Sequence, residues 1–254
     1  MPRLLFSKSL LILSICLLTV SAFTAAQEAK PKWSYEAATD PSHWGSLDPA
    51  YGACSTGHRQ SPIDIKDAKK SDLPTLKMSY NAVPLNIIDN GHSVQINYPA
   101  GGTLTVGNKI YTLKQFHFHH PAEEEIEGKK FDLVAHLVHS NVEGHLVVIA
   151  ILFKKGAANP LFDTLWKNIP AEKEKAVEVN SVTVNAKDLV PAETGYYTFQ
   201  GSLTTPPCSE GVTWYVLKTH ATLSAEQLDA FAKLYPHNAR PLQPINGREI
   251  FESK

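Results

Sequence analysis

The sequence predicts a mainly β protein: one large sheet with a few short peripheral helices. Three observations predict it. Several runs alternate apolar and polar residues with a period of two, glycine-containing steps punctuate those runs, and helical spacing recurs in only two short places.

In chain order, 62–65, 94–98 and 103–106 read as strands. Gly101-Gly102 and Gly107-Asn108 supply turns, and 110–118 and 131–139 follow as longer strands. The run Val147-Val148-Ile149-Ala150-Ile151-Leu152-Phe153 is apolar at every position, so the strand 146–153 has both faces covered and belongs in the middle of the sheet. Leu161, Leu165 and Trp166 fit a short helix opened by Pro160. Residues 212–217 return to strand. Ser224 and Gln227 form a capping box ahead of Leu228, Phe231 and Leu234, which repeat at helical spacing. With no internal repeat, low-complexity tract or long linker after residue 26, residues 27–254 read as one domain.

Residues 1–26 read as a signal peptide. Arg3 and Lys8 precede the apolar stretch from Leu10 to Leu18, and small residues lead to a cleavage site near Ala26. The alternative is a retained anchor, for which the apolar stretch is short. The expected location is therefore the periplasm, with full secretion as the alternative, and the mature form has no membrane span. The formal net charge of −1, without a long basic or acidic block, argues against nucleic acid and anionic membrane as partners. Cleavage removes Cys16 and leaves Cys54 and Cys208. Two cysteines in an exported chain suggest one disulfide, closing a loop of about 150 residues and contributing roughly 5 kcal/mol at most.

The most informative segment is Gln115-Phe116-His117-Phe118-His119. Alternate residues of a strand share a face, so His117 and His119 project together while Phe116 and Phe118 point into core. If 131–139 pairs antiparallel with this strand, His136 joins them. Three imidazoles with no fourth protein ligand suit a catalytic zinc ion whose remaining position stays open. A lone His-x-His pair is weak evidence, but imidazoles on an apolar face are costly unless they ligate something. His120 and His139 are out of phase and read as structural.

Further pieces surround this triad. Gly201-Ser202-Leu203-Thr204-Thr205-Pro206-Pro207-Cys208 is a loop stiffened by two prolines, able to hold a threonine hydroxyl in one orientation. Asn90-Gly91-His92 is a turn carrying an imidazole that can exchange protons near neutral pH. Glu123, just past the second ligand, is a candidate partner for a hydroxyl. Val138, Val148, Leu203 and Trp214 are candidates for a small dry pocket or for plain core.

Together with His43-Trp44-Gly45, Arg59-Gln60-Ser61-Pro62-Ile63-Asp64-Ile65, His136-Leu137-Val138-His139 and Asn238-Ala239-Arg240-Pro241, these motifs resemble the α-class carbonic anhydrases in their bacterial exported form. They occur in family order over nearly the whole mature chain. The resemblance implies a twisted, mostly antiparallel sheet of about ten strands, with one zinc ion at the base of a conical cleft. It implies reversible hydration of carbon dioxide to bicarbonate and a proton by zinc-bound hydroxide, with esters as side substrates. By match, His117, His119 and His136 hold the zinc, with Gln115 and Asn238 behind them. Thr204 accepts a hydrogen bond from the hydroxide and donates one to Glu123. Val138, Val148, Leu203, Thr205 and Trp214 wall the substrate pocket. Tyr35, Asn90 and Gln95 order water toward His92, the proton shuttle, and Cys54 pairs with Cys208. Sulfonamides and anions are the expected inhibitors. Oligomeric state, a homodimer among the options, stays open.

Two positions depart from the family pattern. Much of the family has a glutamate two residues before the third ligand, where this chain has Val134. Glu124, Glu125 or water fills that role, or zinc affinity is altered. Phe199 stands where many relatives have a tyrosine. Other function classes fit less well: inactive binding relatives usually lack a zinc histidine, and a zinc-buffering protein would carry His-rich tracts.

Overall fold

Two sheet faces with different partners organise this protein, and period-two alternation along the long strands creates both. The computed structural model describes residues 1, 32–99 and 101–254, so the signal-peptide reading of 1–26 lies outside the described residues apart from Met1. Residues Pro31–Lys254 form one compact unit. No helix among the described residues is long and apolar enough to cross a membrane.

The first strands are β1 (Asp64–Ile65), β2 (Lys69–Ser71), β3 (Leu76–Ser79), β4 (Val83–Asp89), β5 (Val94–Asn97) and β6 (Thr103–Val106). Next come β7 (Lys109–His119), β8 (Glu125–Ile126), β9 (Leu133–Ser140) and β10 (Leu146–Lys155). The last are β11 (Val177–Val184), β12 (Tyr196–Ser202), β13 (Glu210–Leu217), β14 (Ala221–Leu223) and β15 (Phe251–Ser253). Thirteen strands make one sheet, whose main path runs β11-β4-β5-β7-β9-β10-β13-β12-β15-β2. β1 and β8 form a separate parallel pair. The sheet is mixed, because β10 lies parallel to β13 and β14, and β15 parallel to β2.

Of the expected strands, 103–106 matches β6 residue for residue, and the others agree within a few residues. Both expected helices form. Helix α3 (Pro160–Lys167) starts at Pro160, with the Asn159 side chain capping Leu161 N, and α4 (Ala225–Leu234) carries the full Ser224–Gln227 capping box. Two one-turn helices near the start, α1 (Trp44–Leu47) and α2 (Ala53–Thr56), were not expected.

One face of the sheet packs Phe116, Phe118, Leu137, Ile149 and Ile151 against α3 and α4, whose Phe162 and Phe231 are fully buried. Burying a large apolar side chain contributes about 1.5–3 kcal/mol, so each of these residues helps anchor the helices to the sheet. The other face carries a second apolar cluster that includes Val134, Val148, Leu152 and Trp214. The histidine triad lies on this second face.

Candidate metal centre

Strand pairing brings the triad together. β7 and β9 are antiparallel, and His117 lies directly opposite His136, with Gln115 opposite Val138 and His119 opposite Val134. The register continues across the sheet, so Val138, Val148, Trp214 and Phe199 form one transverse row on β9, β10, β13 and β12. One row therefore carries imidazoles and the next an apolar wall. Among the described residues, His117, His119 and His136 form the group able to hold a metal, each offering an atom within 4.8 Å of the others.

Each imidazole has one ring nitrogen already engaged. His117 Nδ1 bonds Gln115 Oε1 at 2.8 Å, His119 Nδ1 bonds the Asn238 carbonyl at 2.7 Å, and His136 Nε2 bonds Glu124 Oε1 at 3.0 Å. These acceptors fix which nitrogen carries the proton and leave the other as a lone pair. The remaining nitrogen of His119, Nε2, is buried with no hydrogen-bond partner among the described residues. An orphaned imidazole lone pair in a dry site is costly and is explained by a ligated cation. The residues present fit a zinc ion.

The electrostatics of two of the three rings agree. Burial, with repulsion from His136, drives the pKa of His117 down to about 3, and burial holds His119 well below its ordinary value. Both are therefore neutral, as ligands must be. His136 differs: burial lowers its pKa, but the Glu124 carboxylate, joined by that of Glu123, outweighs this and leaves it raised.

Glu123 is fully buried, and its Oε1 accepts the Arg240 backbone N–H at 2.8 Å. Burial, reinforced by Glu124, pushes its pKa up to about 7 against the opposing pull of His136 and smaller ones from Arg240 and Thr204. Glu123 Oε2 has no well-formed hydrogen-bond partner among the described residues, while the Thr204 side chain stands close enough to pull the Glu123 pKa down. Thr204 is itself buried on the loop after β12. That loop can pass close to the wall because residue 201 is glycine. A Cβ there would stand 2.2 Å from Ser61 Oγ and 2.8 Å from Trp214 Cδ1.

Val148 and Trp214 are buried, while Val138 and Leu203 pack on the same cluster but remain partly open, as the lining of a cleft should be. Trp214 sits edge-on to His136 with ring centroids 4.9 Å apart, and its Nε1 donates to Ser202 O at 3.0 Å. Phe199 lies parallel to Trp214 at 6.3 Å, so a purely apolar ring occupies this position. Thr205 is partly exposed beside Thr204.

On the polar side, Asn90 Nδ2 donates to Gln95 Oε1 at 3.3 Å, while Asn90 Oδ1 accepts the backbone N–H groups of His92 and Ser93. The Tyr35 hydroxyl is buried without a hydrogen-bond partner among the described residues. The His92 ring stacks on Trp33 with centroids 3.6 Å apart and an interplanar angle of 8°. Partial burial lowers the His92 pKa, although the carboxylates of Glu174 and Asp89 oppose the shift. Asn238 ties this loop to the triad. Its Nδ2 donates to His92 O and Phe118 O, and its Oδ1 accepts the His120 N–H.

His120 and His139 are structural, as their phase requires. His120 Nδ1 bonds Asp132 O, and His139, fully buried on the opposite face, bonds the Tyr80 hydroxyl. Cys54 and Cys208 are disulfide-bonded. Sequence reasoning missed Trp33 and gave no role to Arg240. The Arg240 guanidinium joins Gln60 Oε1, Ser61 O and Cys54 O, tying the chain behind Glu123 to the disulfide. An arginine within Asn238-Ala239-Arg240-Pro241 offers no sign of distant partners. Glu124 is one of the groups the sequence offers for the place behind His136, beside Glu125 and water.

A family model described as eukaryotic-type carbonic anhydrase matches residues 39–254. A carbonic anhydrase of Pectobacterium carotovorum is 46% identical over 239 residues, covering 94% of this chain and 98% of that protein. Among solved structures, a hyperthermostable carbonic anhydrase identified from an active hydrothermal vent chimney is similar, with TM-score 0.85 and 42% identity over 88% of this chain and 100% of that one. The α-carbonic anhydrase of Thermovibrio ammonificans, in complex with the inhibitor sulfanilamide, matches with TM-score 0.83 and 37% identity, covering 89% and 100% of the two chains.

Proposed function

The chain belongs to the eukaryotic-type carbonic anhydrase family, an enzyme family of lyases, and from that premise we propose that it hydrates carbon dioxide reversibly with one zinc ion per chain. The observation that carries the reading is the state of the three imidazoles. Each has one nitrogen held by an acceptor, and the buried second nitrogen of His119 has no other use.

His117, His119 and His136 would hold the zinc, which supplies Lewis acidity and makes a water nucleophilic near neutral pH. The protein's own groups then set position and proton traffic. Thr204 accepts a hydrogen bond from the nucleophile, and Glu123 accepts one from Thr204, which together turn a lone pair toward the substrate carbon. This requires Oε2 of Glu123, the oxygen left without a partner. The Thr204 backbone N–H meets a substrate oxygen or an inhibitory anion. Val138, Val148, Leu203, Thr205 and Trp214 hold carbon dioxide by excluding water, a fit that the apolar row supports.

Water ordered by Tyr35, Asn90 and Gln95 carries the released proton to His92, which accepts it on a ring nitrogen and passes it to buffer. A pKa lowered by burial keeps that imidazole neutral and able to accept at pH 7. Sulfonamides should inhibit, as the Thermovibrio ammonificans complex suggests, and activated esters should be slow side substrates. Export to an oxidising compartment completes the reading, supported by the disulfide.

The test is zinc content and stopped-flow carbon dioxide hydration on the mature protein. One zinc per chain with rapid, sulfonamide-sensitive hydration is expected. A zinc-free protein with full activity would overturn the reading.

A further inference from the structure

We propose that Glu124 positions the third zinc ligand, so that in this chain a loop rather than a strand supplies the carboxylate behind His136. The inference rests on the zinc reading of the triad and says which residue tunes it.

Two positions can reach the N–H of His136. One is Val134, two residues earlier on β9 and therefore on the same sheet face. It is fully buried in the apolar cluster that contains Ile63, Ile65 and Leu152 and offers no acceptor. The other is Glu124, at the end of the loop that leaves β7. Its Oε1 lies 3.0 Å from His136 Nε2, and both side chains are buried.

The backbone next to Glu124 is pinned. Glu125 and Ile126 form β8, which pairs in parallel with Asp64 and Ile65 of β1, and Glu125 N bonds Ile63 O. The carboxylate is therefore delivered by a held segment.

Glu124 also has no other task. Its second oxygen, Oε2, is buried without a partner, so the bond to His136 is the side chain's one hydrogen bond among the described residues. A buried carboxylate is expensive, and one devoted to a single ring is there for that ring. Its chemistry is distinct as well. His117 and His119 lean on neutral acceptors, the Gln115 amide and the Asn238 carbonyl. Among the described residues, His136 alone of the three hydrogen-bonds an ionisable acceptor, although Glu123 Oε1 lies 3.6 Å from His119 Nδ1. A charged acceptor makes the roughly stronger bond and raises the basicity of the ligating nitrogen more than an amide does.

The experiment measures zinc release to a chromophoric chelator from the zinc-loaded proteins, with circular dichroism to establish folding. E124A should release zinc about 10- to 100-fold faster than the parent. E124Q, which keeps the side chain's volume and a neutral acceptor, should fall between them and carries the test if E124A does not fold. E124A/V134E should release zinc more slowly than E124A, because a carboxylate returns to the same face two residues from His136. A parent that holds no zinc would defeat the zinc reading itself. A zinc-loaded parent whose E124Q and E124A variants release at the parental rate, or a folded E124A/V134E no slower than E124A, would overturn the assignment of Glu124.

Discussion

Reducing the Cys54–Cys208 bond should lower stability by up to about 5 kcal/mol. The bond spans a sequence separation of 154, and the loop-closure entropy removed from the unfolded chain at that length is about 5 kcal/mol at 25 °C. Residual structure in the unfolded state makes this a ceiling. In a domain of this size each kcal/mol moves Tm by roughly 2–4 °C, so the reduced protein should melt roughly 10–20 °C lower. A local effect accompanies the global one. Cys208 O accepts from Gln60 Nε2 at 3.0 Å, and Cys54 O accepts from Arg240 Nη2 at 2.9 Å, while the Arg240 backbone holds Glu123. The cross-link thus braces the support of Glu123 and the loop that bears Thr204. The assay is thermal circular dichroism with and without a phosphine reductant, with thiols counted by mass spectrometry. An unchanged Tm in protein carrying two free thiols would refute the argument.

His119→Ala should lose zinc and hydration while keeping its far-ultraviolet circular dichroism, because β7 and β9 pair through their backbones; undiminished hydration in the zinc-free variant would sink the mechanism. His92→Ala should lower maximal turnover in weak buffer but spare kcat/KM for carbon dioxide, and imidazole buffer should restore much of the loss; equal loss of both constants without rescue would make His92 structural. Trp33→Ala should raise the His92 pKa toward 6.5, read by NMR titration, since burial is what disfavours the imidazolium; a fall would mean that the stacked indole instead stabilises the cation. Val134→Glu alone should lower Tm without slowing zinc release, because the His136 N–H is already taken and the new carboxylate enters an apolar cluster; slower release would contradict the Glu124 bond.

Much of the candidate site was legible in the chain because its parts are local. Alternation over Gln115 to His119 put two imidazoles on one face and two phenylalanines on the other, and the structure buries Phe116 and Phe118 completely. The capping box before α4 and Pro160 at the start of α3 announced the helices for the same reason, since caps act within one turn. Several strands gave no such signal. Pro84 interrupts the pattern of β4, whose apolar residues Val83, Leu85 and Ile87 are all buried. β11 lies at the sheet edge, mostly exposed, and needs no apolar face. β8 and β15 are two and three residues long and exist only because other strands stand beside them.

By itself the sequence determined which side chains share a face, because a strand's period and a helix's caps are set within a few residues. It thereby set His117 and His119 on one face and pointed to a mainly β fold, while the apolar wall was implied by resemblance to the α-class carbonic anhydrases. Tertiary structure alone decided that β10 runs parallel to β13, which places Trp214 beside Val148 and against His136. It also decided that Trp33 covers His92, that Arg240 braces Glu123, and that Glu124 rather than Glu125 or water meets the third ring. These contacts join residues from separate segments, and their distances follow from the pairing and packing of the whole sheet, which no short window of sequence contains.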